Sequence, residues 1–236
     1  MTVWLRSTES TMKDAAKLAA RGEPHGTVVV AEEQRAGIGR HGHTWHSVGG
    51  GGLYLSIILR LPLPPDVLPI LTMALGLATQ SAVEEVCEVN CDIRWPNDLL
   101  LGRKKVAGIM VQAGDGGALI AGIGVNVNQT AFPEDLYAIA TSLRMETGRD
   151  HLKEELLDRV VAESLKYAAL LTDIGKSHIL QQFEARSSYV WGKAVEVDDG
   201  RRVFAGVTAG LDENGFLRVE TPSGIETVMA GGVRAA

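Results

Sequence analysis

Residues 92–128 read DIRWPNDLLLGRKKVAGIMVQAGDGGALIAGIGVNVN. Apolar, β-branched runs at 92–94, 99–101, 106–112 and 118–125 alternate with Pro96-Asn97-Asp98, Gly102-Arg103 and Gly114-Asp115-Gly116-Gly117. Turn-forming residues at these intervals predict four successive strands. Upstream, residues 66–86 have the length and spacing of a helix, with Ala74, Gly76 and Ala78 small enough for close packing. A strand at 53–61 ends at Pro62, Pro64 and Pro65, and another is predicted at 27–31. Residues 11–21 predict a short amphipathic helix, with Ser10 or Thr11 as N-cap and Gly22 just past its end. Between these elements lies a polar, glycine-rich segment, 32–52, in which no regular structure is placed.

Downstream of Asn128 the pattern turns helical. Apolar residues at 152, 156, 157, 160, 161, 165 and 168 follow a 3.6-residue period, and a second helix is predicted at 177–185. From residue 187 the character changes to short alternating pieces at 194–197, 203–209, 216–220 and 225–229. Asp199-Gly200, Asn214-Gly215 and Ser223-Gly224 mark turns between them, the signature of a small β-barrel. The expected plan is an α+β domain over residues 1–186 and a β domain over 187–236.

Composition excludes several classes. The 236 residues are 45% hydrophobic and 22% charged, enough for a sizeable core and incompatible with wholesale disorder. A balance of 23 basic against 29 acidic residues, net −6, argues against nucleic acid as the main partner. Cys87 and Cys91 have no second pair of ligands nearby and read as ordinary thiols of a reducing cytoplasm. Charged residues from Arg6 to Lys17 argue against a leader peptide, and the most apolar stretch, 68–83, is interrupted and short for a membrane span.

Three clusters could carry chemistry. Gly37-Ile38-Gly39-Arg40-His41-Gly42 fits the dinucleotide-binding pattern, yet no helix can begin in the following residues, and no acidic residue stands about twenty positions on. A glycine-rich loop with bare N–H groups, an arginine and a tryptophan can instead surround an anion; a plain surface turn and a His41/His43/His46 metal set are the alternatives. Arg94-Trp95-Pro96-Asn97-Asp98 leads into Lys105 at the start of a strand, where the lysine is either half-desolvated or part of a solvated basic turn. Gly122 to Asn128 ends a strand with Asn126 and Asn128 on one side.

Taken in order, these segments are Ser7-Thr8, Gln34 with Gly37-x-Gly39-Arg40-x-Gly42-x-x-Trp45, Trp95-Pro96-Asn97-Asp98, Lys105-x-Ala107-Gly108 and Gly124-Val125-Asn126. In this order the chain resembles the biotin protein ligases (biotin–[acetyl-CoA-carboxylase] ligases) over essentially its whole length. The resemblance implies a mixed β-sheet with helices packed on one side, of the class II aminoacyl-tRNA synthetase/biotin ligase type, and an SH3-like β-barrel. It implies activation of biotin by ATP and Mg²⁺ to biotinoyl-5′-AMP, then transfer to a lysine of a biotin carboxyl carrier domain of acetyl-CoA carboxylase or a related carboxylase. By position, Ser7, Thr8 and Gln34 would hold the ureido ring, while Gly37, Gly39 and Arg40 belong to the loop over biotin and the adenylate. Lys105 would sit at the carboxylate and α-phosphate. Arg40, Trp45, Asn97, Lys105 and Asn126 would meet the nucleotide, and Asp98 would be a metal ligand. Phe132 and Pro133 could contact adenine, although a loop anchored in the core reads equally well.

The chain departs from the family pattern at Ile38 and His43, where arginine is usual, and at Glu9, where asparagine is common. Arg40 and Lys105 are the expected catalytic pair. Two anions brought ~4 Å apart repel by about 4 kcal/mol at an effective dielectric of ~20, and these cations would offset that term. With six residues ahead of Ser7, a form lacking an N-terminal DNA-binding domain is expected, cytoplasmic and without DNA or membrane partners. A homodimer could form through strand 118–125. Lipoate–protein ligase chemistry, suggested by Gly49 to Gly52, and a non-catalytic ligand-binding protein are the competing readings.

Overall fold

A strand buried along its whole length, Gly52–Leu59, runs through the interior of the chain's main sheet, and the other elements are best placed from it. The structure is a computed structural model that describes every residue except His43 and Val48, and the backbone but not the side chains of His41 and Pro65. In chain order the first half contains β1 (Thr2–Leu5), α1 (Thr11–Ala20), β2 (Val28–Ala31), β3 (Gly37–Ile38), β4 (Thr44–Trp45), β5 (Gly52–Leu59) and α2 (Leu68–Cys87). The predicted run of four strands follows as β6 (Asp92–Arg94), β7 (Asp98–Leu101), β8 (Lys104–Ala113) and β9 (Leu119–Asn126). The helices α3 (Glu134–Tyr137), α4 (Leu143–Thr147), α5 (Lys153–Asp173) and α6 (Lys176–Arg186) come next. Strands β10 (Trp191–Asp198), β11 (Val203–Leu211), β12 (Leu217–Thr221), β13 (Gly224–Val228) and β14 (Gly232–Ala235) complete the chain.

Seven strands form one mixed sheet in the order β1-β2-β5-β9-β8-β7-β6, with β1 parallel to β2 and the other neighbours antiparallel. Alternation along each strand divides the side chains between two faces. Val28, Val30, Leu55, Ile57, Ala121, Ile123 and Val125 join the core beneath α2 and α5. Helix α2 is apolar around most of its circumference, as a helix buried on nearly every side must be. The opposite face carries Val29, Ile58 and Ile120, packed against Met12, Ala15 and Ala19 of α1. The main helical layer therefore lies on one side, as expected, while the short α1 adds cover on the other because its own apolar stripe needs a partner.

The C-terminal domain is a five-stranded antiparallel sheet ordered β13-β12-β11-β10-β14. Its edge strands β13 and β14 do not pair with each other, so the SH3-like sheet is not a closed barrel. Five short strands enclose too little volume to be stable alone. Accordingly Val195, Val197, Leu217 and Val219 belong to the same core cluster as α2, and Trp95 Nε1 donates to Gly215 O at 2.9 Å across the junction. Strand β9 lies between β5 and β8, so its backbone is already paired on both sides; pairing of strand 118–125 across a two-fold is ruled out. Among the described residues, no helix is long and apolar enough to cross a membrane.

Candidate active site

The glycine-rich segment folds as a hairpin: β3 pairs with β4 through Gly37↔Trp45 and Ile38↔Thr44, with Arg40 in the connecting turn. The pairing requires glycine at 37, since a Cβ there would lie 2.7 Å from Trp45 O and 2.9 Å from Ser47 Oγ. The hairpin lays the Trp45 indole across the α1 side of the sheet, over the cross-strand pair Gly108↔Gly124. A Cβ on Gly124 would approach Trp45 Cε2 to 2.5 Å, so the two glycines form the floor on which the ring rests.

Three concavities meet at this ring, and Trp45 and Lys105 line all of them. A narrow cavity of about 50 Å³ runs from Ser10, Thr11 and Gln34 to Arg40 and Lys105. A cleft of about 500 Å³ opens between the two domains, with Arg40, Asn97, Asp98 and Lys105 on one wall. Its C-terminal wall carries Glu196, Asp198, Asp199 and Arg234. The third cavity, about 220 Å³ and mostly apolar, is bounded by Phe132, Leu136, Ile139 and Ala140, with Asn126 beside them.

Charge is concentrated where the first two meet. Lys105 Nζ lies 2.5 Å from Asp98 Oδ1, and Arg94 Nη2 lies 2.6 Å from Asp98 Oδ2. Burial alone would raise the Asp98 carboxyl, but Lys105 and Arg94 outweigh it and hold the group below its ordinary range. Arg40 Nη1 donates to Asn97 Oδ1 at 2.9 Å, and Asn97 Nδ2 donates in turn to Ile109 O at 2.8 Å, fixing the amide that receives the guanidinium. Burial pushes the Arg40 pKa down, opposed by the negative charge of Asp98. Three cations thus surround one carboxylate, an arrangement that favours added negative charge. Lys105 also sits 5.2 Å from the centre of the Trp45 ring, within cation–π range.

The other end of the narrow cavity is polar and neutral. Gln34 Oε1 accepts from Thr11 N at 2.9 Å and Thr11 Oγ1 at 3.1 Å, and Gln34 Nε2 donates to Ser47 Oγ at 3.1 Å. Ser10 precedes α1 as its N-cap but its side chain makes no capping bond. Its fully buried hydroxyl has no hydrogen-bond partner among the described residues, and neither does the Trp45 indole N–H. Buried donors without partners are costly, so both groups are suited to a ligand.

Of the residues singled out by sequence, Gln34, Gly39, Arg40, Trp45, Asn97 and Lys105 line the narrow cavity, Asp98 lines the cleft, and Asn126 and Phe132 line the apolar cavity. Gly37 lines none of the three and serves instead within the hairpin, as the residue paired with Trp45. Ser7 and Thr8 are a correction, for they border none of the three. Ser7 is exposed and accepts from Arg35 Nη1, while the Thr8 hydroxyl bonds to Asp14. Backbone bonds Thr8 N→Glu33 O and Arg35 N→Thr8 O hold that stretch outside, and the next Ser-Thr pair, Ser10-Thr11, occupies the cavity instead. Asp98, expected as a metal ligand, has both its oxygens ion-paired, to Lys105 and Arg94, and among the described residues no group of three or more His, Cys, Asp or Glu could hold a metal ion. Of the histidine set, His43 and the side chain of His41 lie outside the described residues. Pro133 does not border the apolar cavity. Sequence reasoning missed Ser10, Ser47 and the C-terminal wall of the cleft.

Comparison with known proteins agrees with this geometry. A family model described as Biotin/lipoate A/B protein ligase family matches residues 4–129, and one described as Biotin protein ligase C terminal domain matches residues 190–233. The Bifunctional ligase/repressor BirA of Bacillus subtilis (strain 168) is 34% identical over 231 residues, 95% of this chain and 70% of that protein. A Biotin--[acetyl-CoA-carboxylase] ligase of Paracoccus denitrificans is 31% identical over 238 residues, 97% of this chain and 98% of its own. Among solved structures, the biotin protein ligase from Aquifex aeolicus in complex with biotin and ATP superposes with a TM-score of 0.88 at 31% identity, covering 100% of this chain and 99% of that one.

Proposed function

The chain belongs to the Biotin/lipoate A/B protein ligase family, in its biotin protein ligase branch, and on that premise we propose how its residues carry out biotin activation and transfer. Its substrates are biotin and ATP. A carboxylate oxygen of biotin attacks the α-phosphorus of ATP, the bond to the β-phosphate oxygen breaks, and pyrophosphate leaves behind biotinoyl-5′-AMP. The amine of an acceptor lysine then attacks the acyl carbon, loses a proton, and AMP departs. The acceptor is a biotin-accepting carboxylase domain, such as the carrier domain of acetyl-CoA carboxylase.

The observation that carries this reading is the convergence of Lys105 and Arg40 on one cleft beside Asp98. Their positive charge offsets the repulsion between carboxylate and phosphate and stabilises the charge that builds on the transferring phosphoryl group. Until an anion arrives, Asp98 holds the Lys105 ammonium in place. The ureido ring of biotin, a neutral donor and acceptor, fits the Ser10, Thr11 and Gln34 end. The Trp45 ring separates that end from the apolar cavity, which suits the adenine base. The residues present do not make a cage for a resident metal, so Mg²⁺ enters with the ATP phosphates. The acidic C-terminal wall of the cleft suits an incoming ammonium group, which makes this cleft the approach for the acceptor lysine.

The lipoate reading is not favoured, since the C-terminal residues match the biotin ligase domain and the curated relatives above are biotin ligases or BirA proteins. The test is incubation of the chain with Mg-ATP, a carrier domain and either labelled biotin or labelled lipoic acid. Label from biotin alone should enter the carrier lysine; transfer of lipoic acid in preference, or of neither, would refute the proposal.

A further inference from the structure

Gln129 follows β9 and is 7% exposed, yet it borders none of the three concavities. Its Nε2 donates to Asn126 Oδ1 at 3.3 Å and to the Tyr54 hydroxyl at 3.4 Å, while its Oε1 has no partner among the described residues. An amide buried with one end unpaired persists where the other end is needed. What needs it is Asn126.

The Asn126 amide is held from two sides. Its Nδ2 donates to Thr141 O at 2.9 Å and faces Lys105 O at 3.5 Å. These carbonyls are themselves fixed, because Lys105 N bonds to Ile139 O and Thr141 N to Lys105 O. Carbonyls on one side demand the nitrogen there, and the Gln129 N–H on the other demands the oxygen. Turning either amide over would set oxygen against oxygen. With its N–H groups directed at backbone carbonyls, Asn126 offers a ligand in the apolar cavity the remaining lone pair of Oδ1, an acceptor.

We infer that Gln129 is a positioning residue that locks the Asn126 amide with its oxygen available to the nucleobase, so that the site selects a base bearing an exocyclic amine over its 6-oxo counterpart. This rests on the reading that the adenine of ATP occupies the apolar cavity. A 6-oxo purine would bring its carbonyl oxygen against Oδ1 with no proton between them, and a buried site of this kind discriminates strongly.

The test measures calorimetric binding of ATP and ITP, and biotin-dependent pyrophosphate release with each, for the wild-type chain, Gln129→Met and Gln129→Leu. Both substitutions remove the donor to Asn126 together with the unpaired oxygen, so the melting temperature should hold or rise. The wild-type chain should prefer ATP over ITP by about a hundredfold, and the ratio should fall at least about tenfold in whichever variant folds. An unchanged ATP/ITP ratio in a folded variant, or no preference in the wild type, overturns the inference while leaving the ligase reading intact. A wild-type chain that binds ATP but releases no pyrophosphate with biotin overturns the ligase reading; the binding ratios still decide the role of Gln129.

Discussion

Adding one methyl group at Gly124 would separate the site's geometry from its general stability. A Cβ at this position would stand 2.5 Å from Trp45 Cε2, 2.7 Å from Nε1 and 2.8 Å from Cζ2. Carbon atoms pack at about 3.5–4.0 Å, so the indole in Gly124→Ala must lift by about 1 Å. Because Trp45 is only partly buried and sits on a two-residue strand, it can move without tearing the core. Overpacking of this kind costs about 1–3 kcal/mol, and for a chain of this length about 1 kcal/mol lowers the melting temperature by about 2–4 °C. The effect on chemistry should be larger. Trp45 borders all three concavities and lies beside Lys105, and a misplacement of about 1 Å costs roughly a hundredfold in rate. Biotin-dependent pyrophosphate release, measured alongside thermal melting, should fall about a hundredfold in a variant that remains folded at 25 °C. A Gly124→Ala protein with wild-type turnover would refute the placement of the indole as the partition of the site.

Ser10→Ala should weaken biotin binding about tenfold by removing an unpaired buried hydroxyl, whereas Ser7→Ala should leave it unchanged; calorimetry with biotin distinguishes the two, and the reverse order would restore Ser7 to the site. Gly76 lies inside α2 with nothing within 4 Å of a built Cβ, so Gly76→Ala should stabilise the chain by about 1 kcal/mol in chemical denaturation. A loss of stability there would mean that α2 packs more tightly than described. Burial pushes the Cys87 thiol up to about 11 and raises Cys91 as well. Both groups are therefore neutral thiols at pH 8, and alkylation of the native chain should be at least about a hundredfold slower than of the unfolded chain. Rapid labelling of folded protein would show that one of them is open to solvent.

Much of the fold was legible because it is written in local patterns. The strands between residues 92 and 126 are separated by turn residues, and α5 follows its apolar period closely. Elements that depend on distant partners left weaker marks. Strand β1 is four residues long and defined by its parallel pairing with β2. The β3–β4 hairpin has two residues in each strand and is specified by Gly37 meeting Trp45. The site was legible where a residue type is unusual for its place, as with Arg40, Lys105 and the Trp95-Pro96-Asn97-Asp98 turn. It was misread where the sequence repeats itself: Ser7-Thr8 and Ser10-Thr11 are equivalent as dipeptides. The signal that separates them is the start of α1, since the pair at the helix N-terminus has a free backbone N–H and a buried side chain to direct at Gln34. Gln129 and the acidic wall of the cleft could not be read, because their importance comes from contacts with Asn126 and from the docking of the two domains.

The most direct measurement of the central claim is biotin-dependent exchange of labelled pyrophosphate into ATP by the wild-type chain and by Lys105→Met. The variant keeps the side chain's length over Gly108 and Trp45 but leaves Asp98 with Arg94 as its direct ion-pair partner and Arg40 nearby. If the Lys105 ammonium offsets a repulsion of about 4 kcal/mol between the two anions, exchange should fall by about a thousandfold without loss of the fold. A folded Lys105→Met protein that exchanges within about threefold of wild type would contradict the account.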